Sequence, residues 1–575
     1  MSAKKEYLRW CAYEGLDSDS RRELAEIAED NDTIEMRFGS VMSFGTAGLR
    51  STMHAGPACM NSYTVAQATQ GLAVLVQKNG GCERGVAIAY DSRNHSAEFA
   101  MVAAEVLAAN GIHVYLFDGV RPTPELSYAV RKCGCVAGIN ITASHNPKEY
   151  NGYKAYWEDG AQLSPEQSQI VADAIAQVDV LGGAKRISLA EAKARGLLTL
   201  LDTAFDEIYL AAVMKTAISP EKIAAVAEEL KIVYTPLHGA GYRLVPEVLR
   251  RVGLRHLYTV PEQMVLDGNF PTVKKPNPEY ADVFSLGISI AEREGSDLVI
   301  ATDPDADRVG VMSRSRDGSF VTITGNQMGA LLLDYVIRAK RAAGTLCNGS
   351  YAVKSIVSTD LAAKIAQANG IRLYDVFTGF KFIGEVIKNY EQSGEEGEFL
   401  CGFEESYGYL FGSYARDKDA VGAVMMIVEM TAHYRLQGMT LSDALERLYA
   451  EYGLYREGVL DLYMEGLDGA ARQKRMMDAL RRSPKTAFAT YPVAAVTDHE
   501  KRETLSLSEG AIIPTGMGKS NVLYYTLVNG DKIVVRPSGT EPKIKFYFLC
   551  HGDDAAALEK KIEEYKKEAK ALAAP

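Results

Sequence analysis

Ser144 stands beside a histidine in Thr142-Ala143-Ser144-His145-Asn146-Pro147. A hydroxyl next to an imidazole can be a nucleophile with its orienting group, or only a polar turn whose side chains satisfy the backbone. An acyl-transfer elbow would read Gly-x-Ser-x-Gly, which this segment does not. A second group is Asp303-Pro304-Asp305-Ala306-Asp307-Arg308, with three carboxylates inside five residues. Such a cluster repels itself unless a cation neutralises it or water screens it. The acids follow an apolar run that Pro304 prevents from continuing as a strand, so a cation is the better reading. A calcium hand would need glycine at the sixth position and glutamate at the twelfth, where this chain has Arg308 and Arg314. Magnesium, which takes few carboxylates and completes its shell with phosphate or water oxygens, suits the loop.

Two further segments carry recognition chemistry. Arg536-Pro537-Ser538-Gly539-Thr540-Glu541-Pro542 combines a guanidinium fork, two hydroxyls and a glycine that exposes backbone N–H groups, a composition that can nest a phosphate. Gly402-Phe403-Glu404-Glu405-Ser406-Tyr407-Gly408, followed by Arg416-Asp417-Lys418-Asp419, offers acceptors and hydroxyls of the kind that meet sugar hydroxyls directionally. Taken singly, each also reads as an ordinary surface turn.

These groups need elements that present them. Short β-branched runs at 86–90, 136–141, 232–235 and 298–301 end at Asp91-Ser92-Arg93, Thr142-Ala143-Ser144, Leu237-His238-Gly239 and Asp303-Pro304-Asp305, and helical patterns follow. That order predicts α/β units whose parallel strands deliver polar loops at their carboxyl ends, where open sheets bind ligands. The pattern predicts a helix over 97–109 and a final amphipathic helix carrying Leu558, Ile562, Tyr565, Ala569 and Leu572. At 575 residues the chain exceeds one core, and changes of pattern near 205, 325 and 457 divide it into 1–205, 206–325, 326–457 and 458–575.

Composition bounds the function class. With 63 basic and 74 acidic residues the net charge of −11 disfavours a nonspecific nucleic-acid binder, so an anionic ligand needs a local basic pocket. The start, Met1 to Glu6, runs into no apolar signal core, and the longest uncharged apolar stretch, 420–428, is too short to span a bilayer. A cytoplasmic protein without membrane association is the expectation. Eight scattered cysteines give no zinc spacing and read as free, mostly buried thiols.

In this order, from Phe44 to Pro542, the four motifs together resemble those of the alpha-D-phosphohexomutase superfamily. Thr142 to Pro147 is similar to its phosphoserine loop, Asp303 to Arg308 to its metal loop, Glu404 to Ser406 to its sugar loop, and Arg536 to Thr540 to its phosphate loop. Arg50, in Phe44-Gly45-Thr46-Ala47-Gly48-Leu49-Arg50, matches the family's active-site arginine. Lys154, in Asn151-Gly152-Tyr153-Lys154, matches a proposed proton-transfer residue. The stretches 151–157, Thr378-Gly379-Phe380-Lys381 and 403–409 look most like the bacterial phosphoglucomutases related to phosphopentomutases. Where the phosphomannomutase-like branch has Glu-x-Ser-Gly-His, residues 404–408 lack the histidine, which favours Lys154 or Lys418 for proton transfer. Residues 56–61 also lack an arginine that many relatives carry, with no consequence that can be assigned.

The resemblance implies an α/β fold of four domains around a central cleft, three related α/β units with mixed sheets and a smaller C-terminal α+β domain. It implies an intramolecular phosphotransferase that interconverts glucose 1-phosphate and glucose 6-phosphate through phosphorylated Ser144 and glucose 1,6-bisphosphate, the latter also serving as activator. One Mg²⁺ would be held by Ser144, Asp303, Asp305 and Asp307, with Arg50 and Arg308 sharing the charge, and His145 either catalytic or orienting Ser144. Glu404, Ser406, Thr378 and Gly379 would bind the sugar, and Arg536, Ser538, Gly539 and Thr540 the non-reacting phosphate. Partners would be small sugar phosphates, and the protein a monomer or weak homodimer. Phosphomannomutase and phosphopentomutase activity fit the same serine and metal loop. A silent sugar-phosphate binder and a magnesium-dependent phosphatase are the readings from other classes.

Overall fold

The apolar runs that end in polar clusters are interior strands. Val86–Tyr90, Ala137–Ile141, Lys231–Thr235 and Leu298–Thr302 are buried along almost their whole length. Parallel strands covered by helices on both faces must be apolar throughout, which is why these segments read as unbroken runs and not as alternation.

The computed structural model describes residues 2–45, 48–464, 469–538 and 543–572. They fall into two compact units. One comprises Met1–Thr324, Ile383–Glu395 and Ser406–Leu441; the other Gly325–Phe382, Glu396–Glu405 and Ser442–Pro575.

In the first unit, a six-stranded sheet runs Leu49–Thr52, Tyr150–Trp157, Ala137–Ile141, Val86–Tyr90, Val114–Phe117, Leu198–Leu201. Its first two contacts are antiparallel and the rest parallel. From Val86–Tyr90 the chain winds through the helix Ser96–Ala109 to Val114–Phe117 on one side. It returns through the helix Thr123–Lys132 to Ala137–Ile141 on the other. The strand order therefore reverses between Val86–Tyr90 and Ala137–Ile141, and the loops leaving their carboxyl ends part to form a crevice. The same winding recurs around Lys231–Thr235: outward to His256–Thr259, back to Leu298–Thr302, both parallel. Two antiparallel strands, Val309–Arg314 and Phe320–Ile323, extend that sheet. Ser144 and the three aspartates thus leave equivalent strands of two related sheets.

The second unit repeats the winding a third time. Tyr351–Ser355 pairs in parallel with Arg372–Val376 on one side and Phe399–Glu404 on the other. A separate antiparallel sheet follows, ordered Leu454–Tyr463, Lys543–Gly552, Lys532–Pro537, Leu523–Leu527, Tyr491–Asp498, Glu503–Ser506, Ile512–Pro514. The helix Ala555–Ala571 buries Leu558, Ile562, Tyr565 and Ala569 on it, the face that the four-and-three spacing predicts. Three α/β segments and a smaller α+β segment are the expected class.

The strands expected at 86–90, 136–141, 232–235 and 298–301 and the helix expected at 97–109 are observed within one residue of those bounds. Ahead of the first sheet sit three short helices capped by Ser2, Asp17 and Asp30, with apolar faces gathered around Trp10 and Phe38. The segment 420–428 is the start of a buried helix, Ala420–Arg435. Among the described residues no helix is long and apolar enough to cross a membrane. All eight cysteines are free, though only Cys59, Cys135, Cys401 and Cys550 are buried.

Glu457, on the strand Leu454–Tyr463, has its carboxyl pushed up to about 7 by burial and by Asp360, against a hydrogen bond from Thr359. A carboxyl that holds its proton more tightly when folded stabilises most below its unfolded pKa of about 4.3. That contribution is lost as the pH rises through about 7. Glu457→Gln is therefore expected to raise the melting temperature at pH 8 and change it little at pH 5, measured by calorimetry. An equal shift at both pH values would contradict a displaced carboxyl.

Candidate active site

Ser144 sits three residues beyond Ala137–Ile141, almost fully buried, with a left-handed backbone at φ +51°. That conformation costs a non-glycine residue about 1–3 kcal/mol unless its surroundings fix it. They do so through Arg93. Its guanidinium donates to the carbonyl oxygens of Ser144 (2.6 Å), Asn146, Pro147 (2.9 Å) and Tyr150 (3.1 Å), closing the loop around one cation. Asp91 supplies the counter-charge at 3.3 Å from Arg93 Nε, and accepts from Thr142 Oγ1 at 2.6 Å. Thr142 Oγ1 in turn accepts from the Ser144 N–H at 2.8 Å. On the outer side Phe270, from the second sheet's segment, places its ring centroid 5.1 Å from the guanidinium carbon.

The Ser144 hydroxyl donates to Asp303 Oδ2 at 2.8 Å and lies 3.3 Å from His145 Nδ1. Burial, with Arg308 and Arg50 nearby, holds His145 well below the ordinary imidazole range, so it is neutral near pH 7. Arg50 donates to Asn146 Oδ1 at 3.0 Å, on the far side of the same loop.

Asp303, Asp305 and Asp307 are all buried, and one carboxylate oxygen from each lies within 4.8 Å of the others. The loop is shaped by Ala306 at φ +50° and by the Asp307 and Arg308 N–H groups, which donate to Asp303 Oδ1 at 3.1 and 3.0 Å. Burial and the neighbouring Asp305 and Asp307 push the Asp303 carboxyl well up. Asp305 Oδ2 accepts from Thr123 Oγ1 and from Lys154 Nζ, each at 2.7 Å. Those donors, Lys154 first, hold Asp305 well below the usual carboxylate range despite its burial. Asp305 Oδ1 and Asp307 Oδ1 are buried without a hydrogen-bond partner. Hard oxygen donors, left unmet in a buried carboxylate cluster beside a serine hydroxyl, fit a small divalent cation.

Two lysines converge on the same cluster. Lys154 Nζ is 3.4 Å from Asp307 Oδ2, and Lys418 Nζ is 3.1 Å from that same oxygen and 3.0 Å from Asp417 Oδ1. Burial alone would lower Lys154, but Asp305 and Asp307 outweigh it and raise it. Asp417 also accepts from Tyr156 at 2.9 Å and Gln162 at 3.3 Å. Arg308 pairs with Glu279 and lies 3.9 Å from Asp307 Oδ1. Ser406, also in this unit, is half-buried.

In the other unit Glu404 ends the strand Phe399–Glu404, nearly buried, and accepts from the Gly379 N–H at 2.7 Å. Thr378 is half-buried beside it in sequence. Ser355 donates to Glu405 at 2.9 Å. Arg536 and Ser538 are half-buried, and the Ser538 N–H donates to the Lys543 carbonyl at 2.8 Å. Burial drives the Tyr547 phenol up, Glu405 and Glu404 add to that, and Arg536 opposes it, so these charges share one neighbourhood. Gly539 and Thr540 lie outside the described residues, as do Thr46 and Ala47 of the first motif.

Profiles of the phosphoglucomutase/phosphomannomutase alpha/beta/alpha domains I, II and III match residues 41–180, 207–318 and 324–452, and that of its C-terminal domain matches 489–566. The chain belongs to the phosphoglucomutase/phosphomannomutase family. Phosphoglucomutase of Staphylococcus haemolyticus strain JCSC1435 is 35% identical over 534 residues, 92% of this chain and 94% of the relative. That of Staphylococcus aureus strain MRSA252 is 36% identical over 539 residues, 93% and 94%. The crystal structure of a putative phosphomannomutase from Thermus thermophilus shares the fold with TM-score 0.66 at 20% identity, covering 92% of this chain and 99% of that one. The open form of Paramecium parafusin does so with TM-score 0.67 at 17% identity, covering 93% and 96%.

Several residues of this candidate site carry little sequence signal. Thr123, which holds Asp305, follows Arg121-Pro122 with nothing to mark it, and Asn140, which donates to Thr123 Oγ1 at 2.6 Å, hides inside a strand. Arg93 is visible in the sequence as a charge just past a strand, but its four carbonyl partners are not. The turn that follows Leu237-His238-Gly239 braces the aspartate loop: the Ala240 N–H donates to the Pro304 carbonyl at 2.7 Å. His238 is spent on Val265 O and Thr272 Oγ1.

Removing the Arg93 charge leaves Asp91 buried without its partner, and breaking such a pair costs about 3–5 kcal/mol. Arg93→Met is expected to lower the melting temperature and Arg93→Lys to recover part of that loss, measured by thermal unfolding. Indistinguishable melting of Arg93→Met and the parent would refute the clamp.

Proposed function

We propose that this family member interconverts alpha-D-glucose 1-phosphate and glucose 6-phosphate through phosphorylated Ser144 and a glucose 1,6-bisphosphate intermediate. The observation that carries the reading is the Ser144 hydroxyl 2.8 Å from Asp303 within a buried aspartate cluster, in a chain whose relatives are phosphoglucomutases. A serine hydroxyl is a weak nucleophile, but once phosphorylated it is a phosphoryl donor, and the protein's work is positioning and charge stabilisation.

Asp303, Asp305, Asp307 and Ser144 would hold one Mg²⁺, which when bound supplies electrostatic stabilisation of the phosphoryl group. The protein's own groups do the rest. Arg93 fixes the loop so that the serine oxygen stays beside Asp303. Arg50 and Arg308 add positive charge near the transferring group. Lys154 or Lys418 serves proton transfer: its neutral amine, the form that the carboxylates around Lys154 disfavour, takes the proton of the attacking sugar hydroxyl, and the resulting ammonium returns it in the second half-reaction. Glu404, Ser406, Thr378 and Gly379 meet the sugar, and Arg536, Ser538, Gly539 and Thr540 the non-reacting phosphate. The bisphosphate must turn over before its other phosphate is handed back, so sugar recognition has to serve both orientations.

A coupled assay of glucose 1-phosphate with Mg²⁺ and glucose 1,6-bisphosphate is expected to show turnover that exceeds the rates on mannose 1-phosphate and ribose 1-phosphate. Dependence on the bisphosphate should be strongest for dephosphorylated enzyme. Ser144→Ala is expected to abolish the reaction, and the parent's intact mass should rise by one phosphoryl group after exposure to the bisphosphate. A dominant pentose rate would overturn the choice of sugar, and undiminished turnover by Ser144→Ala would overturn the mechanism.

A further inference from the structure

Gly408 begins the short strand Gly408–Leu410, and its backbone does not require glycine, because its φ lies outside the left-handed region. The residue before it, Tyr407, is the one held at φ +67°. What requires glycine at 408 is space. A Cβ built there would fall 2.1 Å from Lys418 Cδ, 2.7 Å from Cγ and 3.4 Å from Cε. The lysine stem therefore lies directly against bare main chain.

Nor can that stem move aside while keeping its contacts. Lys418 is 8% exposed, and its Nζ is fixed between Asp307 Oδ2 at 3.1 Å and Asp417 Oδ1 at 3.0 Å. Its backbone is pinned at both ends, by the Lys418 N–H to Asp417 Oδ1 at 2.9 Å and the Asp419 N–H to the Tyr409 carbonyl at 2.8 Å. Asp417 is itself anchored by Tyr156 at 2.9 Å. The clash is with the middle of the side chain, so any residue larger than glycine displaces the ammonium.

We propose that Gly408 is a positioning residue of the mutase: its missing side chain is the channel through which Lys418 reaches the aspartate cluster. This rests on the mutase reading above. Residue 408 thus decides whether a lysine from the segment after the sugar loop can serve proton transfer at Ser144.

The test is a double-mutant cycle of Gly408→Ala and Lys418→Ala, assayed on glucose 1-phosphate with Mg²⁺ and glucose 1,6-bisphosphate, with thermal unfolding of each variant. Lys418→Ala is expected to lower kcat by about 10²–10⁴-fold, the usual worth of a positioned proton-transfer group. Gly408→Ala should lower kcat by about tenfold or more with KM within about threefold, and should keep the phosphoserine mass shift. In the Lys418→Ala background, where the stem is gone, Gly408→Ala should cost less than about twofold. If Gly408→Ala lowers the melting temperature, it must lower it less in the Lys418→Ala background than in the parent. An equal cost of Gly408→Ala in both backgrounds, a kcat unchanged by either single substitution, or a destabilisation that Lys418→Ala fails to relieve overturns the proposal. Failure of the mutase reading would appear separately, as absent turnover in the parent protein.

Discussion

Everything in the site follows from burying three like charges together. Two carboxylates about 4 Å apart repel by about 4 kcal/mol at an effective dielectric of ~20, and here three share one pocket. The structure meets that cost by bringing cations and donors from elsewhere in the chain. Lys154 comes from the first sheet, Lys418 from the segment after residue 405, Arg308 from the loop itself, and Thr123 from the helix that returns to the serine strand. Ser144 enters the same balance through Asp303. The groups that would move protons and phosphate are thus also the groups that make the acidic cluster foldable, and two oxygens are still left for a cation.

A second theme is the use of one winding to present different chemistry. In each α/β segment the chain starts at a central strand, goes to one side, and returns to the other, which opens a crevice at the carboxyl end of the central pair. The first crevice receives Asp91 to Arg93 and Ser144, the second Leu237 to Gly239 and the aspartates, the third Ser355 to Thr359 and Glu404. The serine loop and the aspartate loop are both finished by a non-glycine residue in the left-handed conformation, Ser144 and Ala306. Strain of this kind persists only where neighbours over-determine the backbone, and the carbonyl clamp of Arg93 and the paired N–H groups on Asp303 Oδ1 do so.

The loop after Glu404 shows how backbone geometry and packing divide the work between neighbouring residues. The left-handed residue is Tyr407, and Gly408 stands where the Lys418 stem needs room.

Much of this was readable from local pattern alone. Apolar runs ending in Asp, Ser or Gly located the strands, because a strand covered on both faces must be apolar along its length and its carboxyl end must turn polar. Three carboxylates in five residues after an apolar run signalled a candidate cation site, because like charges held together need a cation or water to screen them. The spacing of Leu558, Ile562, Tyr565 and Ala569 fixed the buried face of the last helix, since that periodicity is a property of the helix itself. What tertiary structure alone decided was partnership. Arg93 could have faced solvent, Thr123 had no distinguishing neighbour, and nothing local says that Lys418 must cross Gly408 to reach Asp307. Such contacts join residues separated by tens to hundreds of positions, and their energies depend on distance and burial, which are set by how the sheets wind and pack and not by the order of residues along the chain.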